Sequence, residues 1–563
     1  MKPCISNFYI LLTALLVLTL IGCSNDKEME PEDPLETTGQ SEMIRDESNL
    51  FPLTILHTND VHGRVMQFND WGNTCDPEDI EAGECFGGVA RRATKINEIR
   101  EEKDNVLLLD AGDEFQGTLF YTQFRGLAAQ AFMNYMEYDA MTFGNHEFDD
   151  GVQVLSDFAA GLEFPMVSSN IDFSNEPLMS ELAERYIIRE FDGRKVGIIG
   201  YTTEDVPSLA NPGPNVEFNG IEESLRAVVE ELEAQDVNII IALSHAGLGR
   251  DVNIAEEVAG IDVIVGGHTH SYLSNFSEDA EGPYPWMASS PDGEPVLVVT
   301  AKSWGMYLGE LDLEFSEDGI AERWNGEPIL MDASIDEDPG ALDLVADMYR
   351  EVEPLTMLTV GTTLVDLEGR EEVSRHYECN LGNLICDALL WETQAAGTTI
   401  AMFNGGGIRS GIPSGEITMA QILEVLPFGD TLAYFSLTGE DLHETLEYGV
   451  SRAEDPLNEG TGRFLQVAGL KYTWDPSAPV GERIVDMEVQ NENKTWGPVD
   501  PEEVYKIVTL LYIREGGDGY EILEEKAIDP YDFGRVIADI LVDYLMEYSP
   551  ISPYTEGRIT RVE

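Results

Sequence analysis

The sequence predicts an α/β protein in which a larger N-terminal domain is followed by a smaller domain that mixes helices and strands. Short apolar runs alternate with stretches of helical periodicity from Leu53 to about residue 335, which is typical of α/β domains with buried sheets. Beyond this region the same alternation loosens into a mixed pattern. The third observation is that several of the few histidines directly follow apolar runs. Loops at the ends of buried strands commonly carry ligand groups, so this placement predicts a site at one edge of the sheets.

The chain begins with a sequence that predicts export. Lys2 precedes the apolar run Ile10–Ile21, which is too short to span a bilayer. The run ends Leu20-Ile21-Gly22-Cys23, which resembles the lipobox of bacterial lipoproteins. The resemblance implies that residues 1–22 are removed and Cys23 is lipidated, so that the protein is anchored in the periplasm or at the cell surface. An ordinary signal peptide that contains a cysteine is the alternative.

Residues 23–50 are rich in Asp, Glu, Pro, Ser and Thr and contain few apolar residues, which predicts a flexible acidic tether. Residues 51–340 form the predicted N-terminal domain. Its predicted strands are Leu53–Leu56, Val106–Leu109, Ala140–Phe143, Val196–Ile199, Ile239–Leu243, Val263–Val265 and Val296–Val299, and its predicted helices include Val89–Lys103 and Ile221–Ala234.

Residues 341–359 are predicted to form an amphipathic connecting helix with Leu342, Val345, Met348, Val352 and Leu355 on its apolar face. Residues 360–563 form the predicted second domain. Helices are predicted there at 383–394 and 439–453, and strands at 399–403, 431–437 and 505–510.

The charge of the chain excludes some classes of partner. The sequence has 33 basic and 106 acidic residues, a formal net charge of −73. Such a field repels nucleic acid polymers and anionic membrane surfaces. An anionic substrate would therefore need local positive charge, from bound metal or from a few placed arginines. Nothing in the sequence indicates an obligate protein partner.

The cysteines divide into pairs with different expected states. Cys75 and Cys85 flank an acidic loop and are predicted to form a disulfide in an oxidising compartment. Cys379 and Cys386 are seven residues apart on a predicted helix, about 10 Å along its axis. That distance is too long for a disulfide, so both are predicted to be free, buried thiols.

Ligand-type side chains follow several predicted strands. They are Asp60, His62, Asp113, Asn145, His146, His245, His268 and His270. Such a mixed nitrogen and oxygen set suits Zn, Mn, Fe or Co better than Ca or Mg. A pair of divalent ions sharing one carboxylate would neutralise a phosphate and activate a water molecule for attack on phosphorus. His57 lies within a strand and is predicted to be a core residue.

The order of these residues resembles the calcineurin-like metallophosphoesterase family, in the segments Asp60-x-His62, Gly112-Asp113, Gly144-Asn145-His146-Glu147, His245 and His268-x-His270. The second block resembles the C-terminal domain of secreted 5'-nucleotidases, in the segments 378–383, 404–409, 426–429 and 516–520. The likeness runs from about Leu53 almost to the C-terminus. It implies an N-terminal α/β sandwich and a smaller α+β substrate-binding domain.

The resemblance also implies roles for single residues. One divalent ion would be held by Asp60, His62, Asp113 and His270, and a second by Asp113, Asn145, His245 and His268. His146 would face the phosphate, with Asp149 orienting its ring. Many nucleotidases of this type have Gln or Asn at the position of His270.

In the second domain the resemblance implies a substrate site. Phe428 and Tyr512 match two aromatic residues that stack on the base, Arg375 and Arg409 match substrate-binding arginines, and Asn404 and Asp518 match polar contacts to the nucleoside. Two departures concern nucleotide preference. Some relatives have a further arginine close after Arg375, where this chain has His376 and Tyr377, and some have Phe at the position of Tyr512. The segment 404–409 taken alone could also be a glycine-rich turn.

The function implied is metal-dependent hydrolysis of nucleoside 5'-monophosphates outside the cytoplasm. Two related activities remain open, those of a 2',3'-cyclic phosphodiesterase/3'-nucleotidase and of a nucleotide-sugar hydrolase. A non-catalytic nucleotide- or metal-binding lipoprotein is the alternative from another class.

Overall fold

The chain from residue 50 to residue 562 is described by a computed structural model, apart from residues 70–73, 76, 357, 454–461, 492, 533 and 534. The predicted signal sequence, Cys23 and nearly all of the predicted tether lie outside the described residues. Within the described ranges, no helix is long and apolar enough to cross a membrane.

Two large sheets organise the N-terminal part of the chain. One has seven strands in the order β15-β14-β1-β2-β3-β4-β6, and the other has six in the order β12-β13-β11-β10-β8-β7. In chain order the strands of this part are β1 (Phe51–Thr58), β2 (Val106–Asp110), β3 (Ala140–Met141), β4 (Met166–Val167), β5 (Ile171–Asp172), β6 (Ala183–Glu184), β7 (Tyr186–Phe191), β8 (Arg194–Thr202), β9 (Glu217–Phe218), β10 (Ile240–His245), β11 (Val263–Val265), β12 (Trp286–Ser289), β13 (Pro295–Val299), β14 (Tyr307–Phe315) and β15 (Ala321–Leu330).

The two sheets share one apolar core. Leu107 on β2 and Ile241 on β10 belong to the same cluster of buried side chains. The central strands β1, β2, β3 and β4 run parallel, as do β8, β10, β11 and β13. Parallel strands covered on both faces are apolar almost throughout, and their carboxyl ends meet at one edge.

Helices alternate with these strands along the chain. They are α1 (Pro77–Ala82), α2 (Val89–Glu102), α3 (Leu119–Phe124), α4 (Leu127–Tyr135), α5 (Gly151–Ala160), α6 (Val206–Leu209), α7 (Ile221–Glu233) and α8 (Leu248–Glu257). The buried face of α7, for example, consists of Ile221, Leu225, Val228, Val229 and Leu232, the spacing expected for a helix packed on a sheet.

The antiparallel hairpin of β14 and β15 is the main element of this part that sequence reasoning missed. Strand β14 pairs with β1 over Phe51 to His57, so the hairpin completes the first sheet beside the strand that leads into the site. The strand β3 is shorter than predicted. It ends at Met141, and the chain then turns into the loop that carries Asn145.

The helix α9 (Pro339–Thr356) connects the two parts of the chain. Val345 and Val352 are buried, whereas Leu342, predicted to lie on the apolar face, is 39% exposed because Ala341 and Val345 define that face instead. The helix packs against α2, α3 and α4 of the first part and against α12 of the second. It therefore contacts both parts rather than spanning a gap between them.

The second part contains a five-stranded sheet in the order β20-β17-β24-β19-β25 and a four-stranded sheet in the order β23-β22-β21-β26. Its strands are β16 (Thr359–Thr363), β17 (Ile400–Asn404), β18 (Gly415–Thr418), β19 (Leu432–Thr438), β20 (Leu465–Ala468), β21 (Leu470–Trp474), β22 (Ile484–Gln490), β23 (Trp496–Pro498), β24 (Val504–Leu510), β25 (Ile528–Tyr531) and β26 (Ile559–Arg561). Its helices are α10 (Glu371–Ser374), α11 (Asn380–Glu392), α12 (Met419–Val425), α13 (Gly439–Gly449), α14 (Leu511–Arg514), α15 (Glu521–Lys526) and α16 (Ile537–Tyr548).

The predicted fold class is confirmed. An α/β sandwich built on parallel strands is followed by a smaller unit of mixed sheets and helices with its own core, which includes the fully buried Trp474 and Phe435.

Candidate functional site

Two clusters of ligand-type side chains lie at the edge where the parallel strands end. Asp60, His62 and His270 form the first, and Asp113, His245 and His268 form the second. Within each cluster the candidate ligand atoms lie within 4.8 Å of one another. The sequence prediction named all six residues.

The topology explains why residues so far apart in the sequence meet. Asp60 and His62 follow β1, Asp113 follows β2, and Asn145 follows β3 in the first sheet. His245 ends β10, while His268 and His270 follow β11 in the second. The two parallel groups of strands present their carboxyl ends to the same edge, so their loops converge there.

Five of these residues have left-handed backbone conformations, which are uncommon outside glycine. Their φ angles are 51° at Asp60, 52° at His62, 62° at Asp113, 79° at His268 and 54° at His270. Non-glycine residues in this region tend to cluster at functional sites, where surrounding contacts hold them. Backbone bonds supply such contacts here, because the Asp60 N–H donates to Gly112 O and the His62 N–H donates to Asp113 O.

The histidine rings are oriented through their Nδ1 atoms. His62 Nδ1 lies 3.0 Å from Phe115 O, His245 Nδ1 lies 2.7 Å from Ala111 O, and His270 Nδ1 lies 3.2 Å from the Glu371 carboxylate. An acceptor at Nδ1 fixes the proton there and leaves the Nε2 lone pair for a metal ion. The Nε2 atoms of His62 and His270 approach each other to 3.1 Å, as expected for two groups aimed at one point.

Asp113 lies between the two clusters. Its Oδ2 is 3.1 Å from His245 Nε2 and 3.9 Å from His62 Nε2. Its backbone and that of Gly144 are tightly packed, since a Cβ at Gly144 would lie 2.5 Å from Asp113 N. Asn145 joins the second cluster, with its Oδ1 3.2 Å from His245 Nε2.

The buried side chain of Glu147 holds the loops together. Its carboxylate accepts hydrogen bonds from the backbone N–H groups of Asp113, Glu114, Phe115 and Gly144. The sequence motif contained Glu147, but its role in joining the Asp113 loop to the Asn145 loop depends on contacts that a sequence does not show.

His146 and Asp149 form a pair beside the clusters. His146 Nδ1 is 2.7 Å from Asp149 Oδ2, and the His146 N–H donates to Asp113 Oδ1 over 2.9 Å. Burial lowers the pKa of His146, but Asp149 and Asp113 outweigh burial, so the net pKa is raised. The imidazole is therefore suited to donate a proton or to stabilise negative charge.

The electrostatics of the second cluster favour a cation. Burial would lower the pKa of His245, but the Asp113 and Asp60 carboxylates raise it to about 10. In the metal-free protein, a second ring proton, on Nε2, therefore supplies the positive charge that the Asp113 and Asp60 carboxylates favour. The donor set, its orientation by Nδ1 acceptors and this field together fit a divalent metal ion.

A cavity of about 670 Å³ extends from His146 and Asp149 into the second part of the chain. The predicted substrate-binding residues that line it are Arg375, Asn404, Arg409, Phe428, Tyr512 and Asp518. Pro207, Leu209 and Asn211 of the first part line it as well. This volume is within the usual range for small-molecule sites.

Two residues of the second part contact a candidate metal ligand, His62, and its neighbour His146. Arg409 Nη2 lies 3.4 Å from His62 Nε2, and the ring of Phe428 stacks on His146 with 5.6 Å between centroids. Tyr512 Oη lies 3.1 Å from Asp518 Oδ1, and Asn404 Nδ2 donates to Asp518 Oδ2 over 2.6 Å. Arg409 and Arg375 bring positive charge into an otherwise acidic protein.

Two residues of the site were not predicted from the sequence. Glu371 contacts His270, and its spacing of four residues from Arg375 was the available signal. Asp430 lines the cavity, and burial together with the charges of Asp149 and Asp518 raises its pKa to about 7. Asp430 directly follows the Leu426–Gly429 motif, but its orientation cannot be inferred from that motif.

The cysteines outside the site have the following states. Cys75 and Cys85 are joined in a disulfide, and Cys379 and Cys386 are free and buried.

His57 is buried in β1, as predicted for a core residue, with its Nε2 2.9 Å from Tyr284 Oη. Burial lowers the pKa of His57 to about 3.

Comparison with known proteins agrees with this arrangement. Residues 53–272 match the family of calcineurin-like phosphoesterases, and residues 359–525 match the 5'-nucleotidase C-terminal domain. Snake venom 5'-nucleotidase of Naja atra is 40% identical over 90% of this chain and 98% of its own length. The 5'-nucleotidase of Homo sapiens is 37% identical over 90% of each chain.

A solved structure shows the same fold over nearly the whole length. The crystal structure of a 5'-nucleotidase precursor from Thermus thermophilus is 42% identical and superposes with a TM-score of 0.85, covering 91% of this chain and 99% of that one. Identity of this degree, over both domains and with the ligand-type residues gathered at one edge, establishes the relationship. The chain belongs to the 5'-nucleotidase family of metal-dependent phosphomonoester hydrolases.

Proposed function

We propose that the protein hydrolyses nucleoside 5'-monophosphates to a nucleoside and phosphate. The observation that carries this proposal is the composition of one cavity, whose lining includes the His146–Asp149 pair together with Phe428, Tyr512 and Asp518. A nucleotide has matching groups, a phosphate for the polar side chains and an aromatic base for the rings. The names of the relatives support the same substrate class.

Two divalent ions per chain, of Zn, Mn, Fe or Co, complete the proposed site. Asp60, His62, Asp113 and His270 would hold one, and Asp113, Asn145, His245 and His268 would hold the other. When bound, such a pair neutralises phosphate charge and lowers the pKa of a water molecule, which supplies the nucleophile.

The protein's own residues act on the phosphate and on the leaving group. Arg375 and Arg409 would bind phosphate oxygens and offset the repulsion from the acidic surface. His146, held by Asp149, would stabilise charge on the phosphate or supply a proton to the leaving 5'-oxygen. A proton donor at this position avoids the release of an alkoxide.

The second part of the chain would recognise the nucleoside. Phe428 and Tyr512 would stack on the base, and Asp518 and Asn404 would accept or donate hydrogen bonds to the sugar or base. We propose residues 51–340 as the metal-binding domain, 341–359 as the connecting helix and 360–563 as the substrate-binding domain. The placement of α9 between the two supports these limits.

The test is product analysis with metal-free protein reconstituted separately with Zn²⁺, Mn²⁺, Co²⁺ and Fe²⁺. AMP, 2',3'-cyclic AMP, 3'-AMP and a UDP-sugar are supplied as substrates. We expect AMP to yield adenosine and phosphate with the highest kcat/KM. Preferential cleavage of the cyclic nucleotide or the UDP-sugar would instead indicate one of the related activities, and stoichiometric binding without turnover would indicate a binding protein.

The variant Asp113→Asn tests the dimetal assignment. Because Asp113 would contact both ions, its substitution is expected to remove more activity than Asp60→Asn or His270→Gln. Asp262→Asn is a matched control, since the Asp262 carboxylate also accepts a backbone hydrogen bond, from Ile240, but lies outside both clusters. Near-normal turnover by Asp113→Asn would contradict the bridging role.

We also propose that Cys23 is lipidated and anchors the protein outside the cytoplasm. The apolar run ending in Gly22-Cys23 supports this proposal. Cys23→Ser is expected to abolish labelling with palmitate, while a chain beginning at Ser24 is expected to be active without a membrane. Palmitate incorporation into Cys23→Ser would contradict the proposal.

A further inference from the structure

Glu371 is a single carboxylate that contacts both functional regions. Its Oε1 lies 3.2 Å from Nδ1 of His270, a candidate metal ligand in the first part of the chain. Its Oε2 lies 3.0 Å from Arg375 Nη2, a candidate substrate-binding group in the second part. Glu371 begins the short helix α10, so it belongs to the second part and reaches across to the first.

This arrangement distinguishes His270 from two of the other ligand histidines. His62 and His245 direct Nδ1 to the backbone carbonyls of Phe115 and Ala111, which belong to the same part of the chain as the histidines themselves. Those two backbone acceptors would stay beside their histidines if the second part moved relative to the first. The Nδ1 acceptor of His270 is a side chain of the other part, so its presence depends on how the two parts are placed.

The contact has a defined chemical consequence. A carboxylate that accepts the Nδ1 proton fixes the tautomer with a free Nε2 lone pair and makes that nitrogen a stronger ligand. His270 Nε2 is also close to Asp60, 3.5 Å from its Oδ1, within the first cluster. Loss of the Glu371 contact would therefore leave His270 free to rotate and to change tautomer.

We propose that Glu371 is a positioning residue that couples the approach of the two domains to metal binding at the Asp60–His62–His270 cluster. The proposal rests on the function proposed above. When the domains are close together, Glu371 holds His270 in its ligand orientation and keeps Arg375 beside the phosphate site. When they separate, Glu371 and Arg375 leave together, and His270 loses its acceptor.

The coupling must act in both directions. If closure of the domains strengthens metal binding at this cluster, then metal binding favours closure by the same factor. A metal ion in this cluster would thus prepare the substrate-binding domain before a nucleotide arrives. Arg375 would be brought to the phosphate site by the same carboxylate that orients the metal ligand.

The test measures metal affinity rather than turnover. Metal-free wild type, Glu371→Ala and Glu371→Gln are titrated with Zn²⁺ and with Mn²⁺ against a competing chelator, so that the two ions are resolved. We expect Glu371→Ala to weaken one of the two ions by about 10- to 100-fold, the usual effect of removing an acceptor behind a ligand histidine. Glu371→Gln keeps an oxygen acceptor and is expected to retain part of the affinity. Glu372→Ala, an exposed carboxylate on the same helix, is the matched control and is expected to match the wild type.

A double-mutant cycle with His270→Gln decides whether the effect passes through His270. In the His270→Gln background, Glu371→Ala is expected to cause no further loss, because the acceptor then has no imidazole to orient. An equal loss in both backgrounds, or wild-type affinity in Glu371→Ala while His270→Gln weakens one ion, would overturn the proposal. If His270→Gln itself leaves both ions at wild-type affinity, the proposed ligand set fails and this inference fails with it.

Small-angle scattering supplies a second measurement that a purely local structural role would not change. Wild-type protein is expected to become more compact when Zn²⁺ is added, and Glu371→Ala is expected to show a smaller change. Equal compaction in both proteins would contradict the coupling even if the metal affinity of the variant were reduced.

Discussion

At the scale of single residues, the site combines uncommon backbone conformations with hydrogen bonds that hold them in place. A non-glycine residue held in the left-handed region costs about 1–3 kcal/mol, and Asp60, His62 and Asp113 all adopt it. The hydrogen bonds that link the Asp60, Gly112 and Glu147 loops offset this cost. The result is that ligand groups are placed before a metal ion binds, so little reorganisation is needed.

His245 leads to a prediction about protons released on metal binding. Its pKa of about 10 means that in the metal-free protein both ring nitrogens of His245 are protonated at pH 7.5. Coordination requires the neutral ring, so binding is expected to release close to one more proton per chain in wild type than in His245→Asn. Calorimetric titration with Zn²⁺ in two buffers of different ionisation enthalpy at the same pH measures this number.

His57 provides the control for that experiment. Burial holds the pKa of His57 at about 3, so its ring is neutral at pH 7.5 and His57→Gln is expected to release as many protons as the wild type. Equal proton release by His245→Asn and wild type would show that His245 is not protonated in the metal-free protein or does not bind the ion.

The candidate metal ligands could be predicted from the sequence because of their position after apolar runs, whereas the cavity residues of the second domain were implied only by the family resemblance. The aspartates and histidines come directly after apolar runs, and parallel strands bring such positions to one edge. Glu371 could not be predicted in the same way, because its contact with His270 joins residues 101 positions apart through the placement of two domains. Asp430 was missed for a similar reason, since only the folded cavity shows where its side chain lies.

At the scale of elements, the apolar runs identified the buried parallel strands well and the half-exposed strands poorly. The run Val106–Leu109 is buried on both faces, so its strand was predicted almost to its ends. Strand β14 alternates buried Leu311, Leu313 and Phe315 with partly exposed acidic residues, a period of two that differs from the continuous apolar runs of the buried strands. The helix α9 was predicted within a few residues of each end.

The helix α12 leads to a prediction about stability. Thr418 accepts a hydrogen bond from the Gln421 N–H, and the Gln421 side chain accepts one from the Thr418 N–H, which forms a capping box. Because this helix packs against α9 and α16, fraying of its first turn would affect the contact between the two parts. Thr418→Ala is expected to lower the free energy of unfolding by about 0.5–2 kcal/mol.

Urea unfolding of the metal-free protein, followed by circular dichroism, checks this value. Thr418→Ser retains the side-chain acceptor and is expected to unfold within a few tenths of a kcal/mol of wild type. If Thr418→Ala were as stable as Thr418→Ser, the capping box would not contribute to stability.

At the scale of the whole molecule, the candidate site is lined by residues of both domains. The six residues of the two candidate metal-ligand clusters precede residue 271, and the aromatic residues Phe428 and Tyr512 come after α9. The net charge of −73 would repel a nucleotide at long range, so Arg375 and Arg409 must act at short range. In the proposed function, nucleotide binding therefore depends on both domains presenting their groups to one cavity.

This division predicts that the two aromatic rings affect nucleotides and small phosphate esters differently. Stacking on an aromatic ring contributes about 1–3 kcal/mol per base. Tyr512→Ala is therefore expected to lower kcat/KM for AMP by about 5- to 150-fold, while p-nitrophenyl phosphate, which does not reach the base site, is expected to be less affected. Phe428→Ala is expected to affect AMP in the same way.

The structure identifies Tyr512 as the cleaner of the two tests. Phe428 also stacks on His146, so its loss can disturb the residue proposed to face the phosphate, and p-nitrophenyl phosphate would then respond as well. Tyr512 has no ring contact with His146 among those that the described residues show, and its hydroxyl lies 3.1 Å from Asp518 Oδ1 and 3.3 Å from Leu209 O. Tyr512→Phe keeps the ring and removes those hydroxyl contacts, so it separates stacking from hydrogen bonding. If Tyr512→Ala lowered kcat/KM equally for AMP and p-nitrophenyl phosphate, or for neither, Tyr512 would not stack on the base, and the proposed substrate class would widen from nucleotides to phosphate monoesters in general.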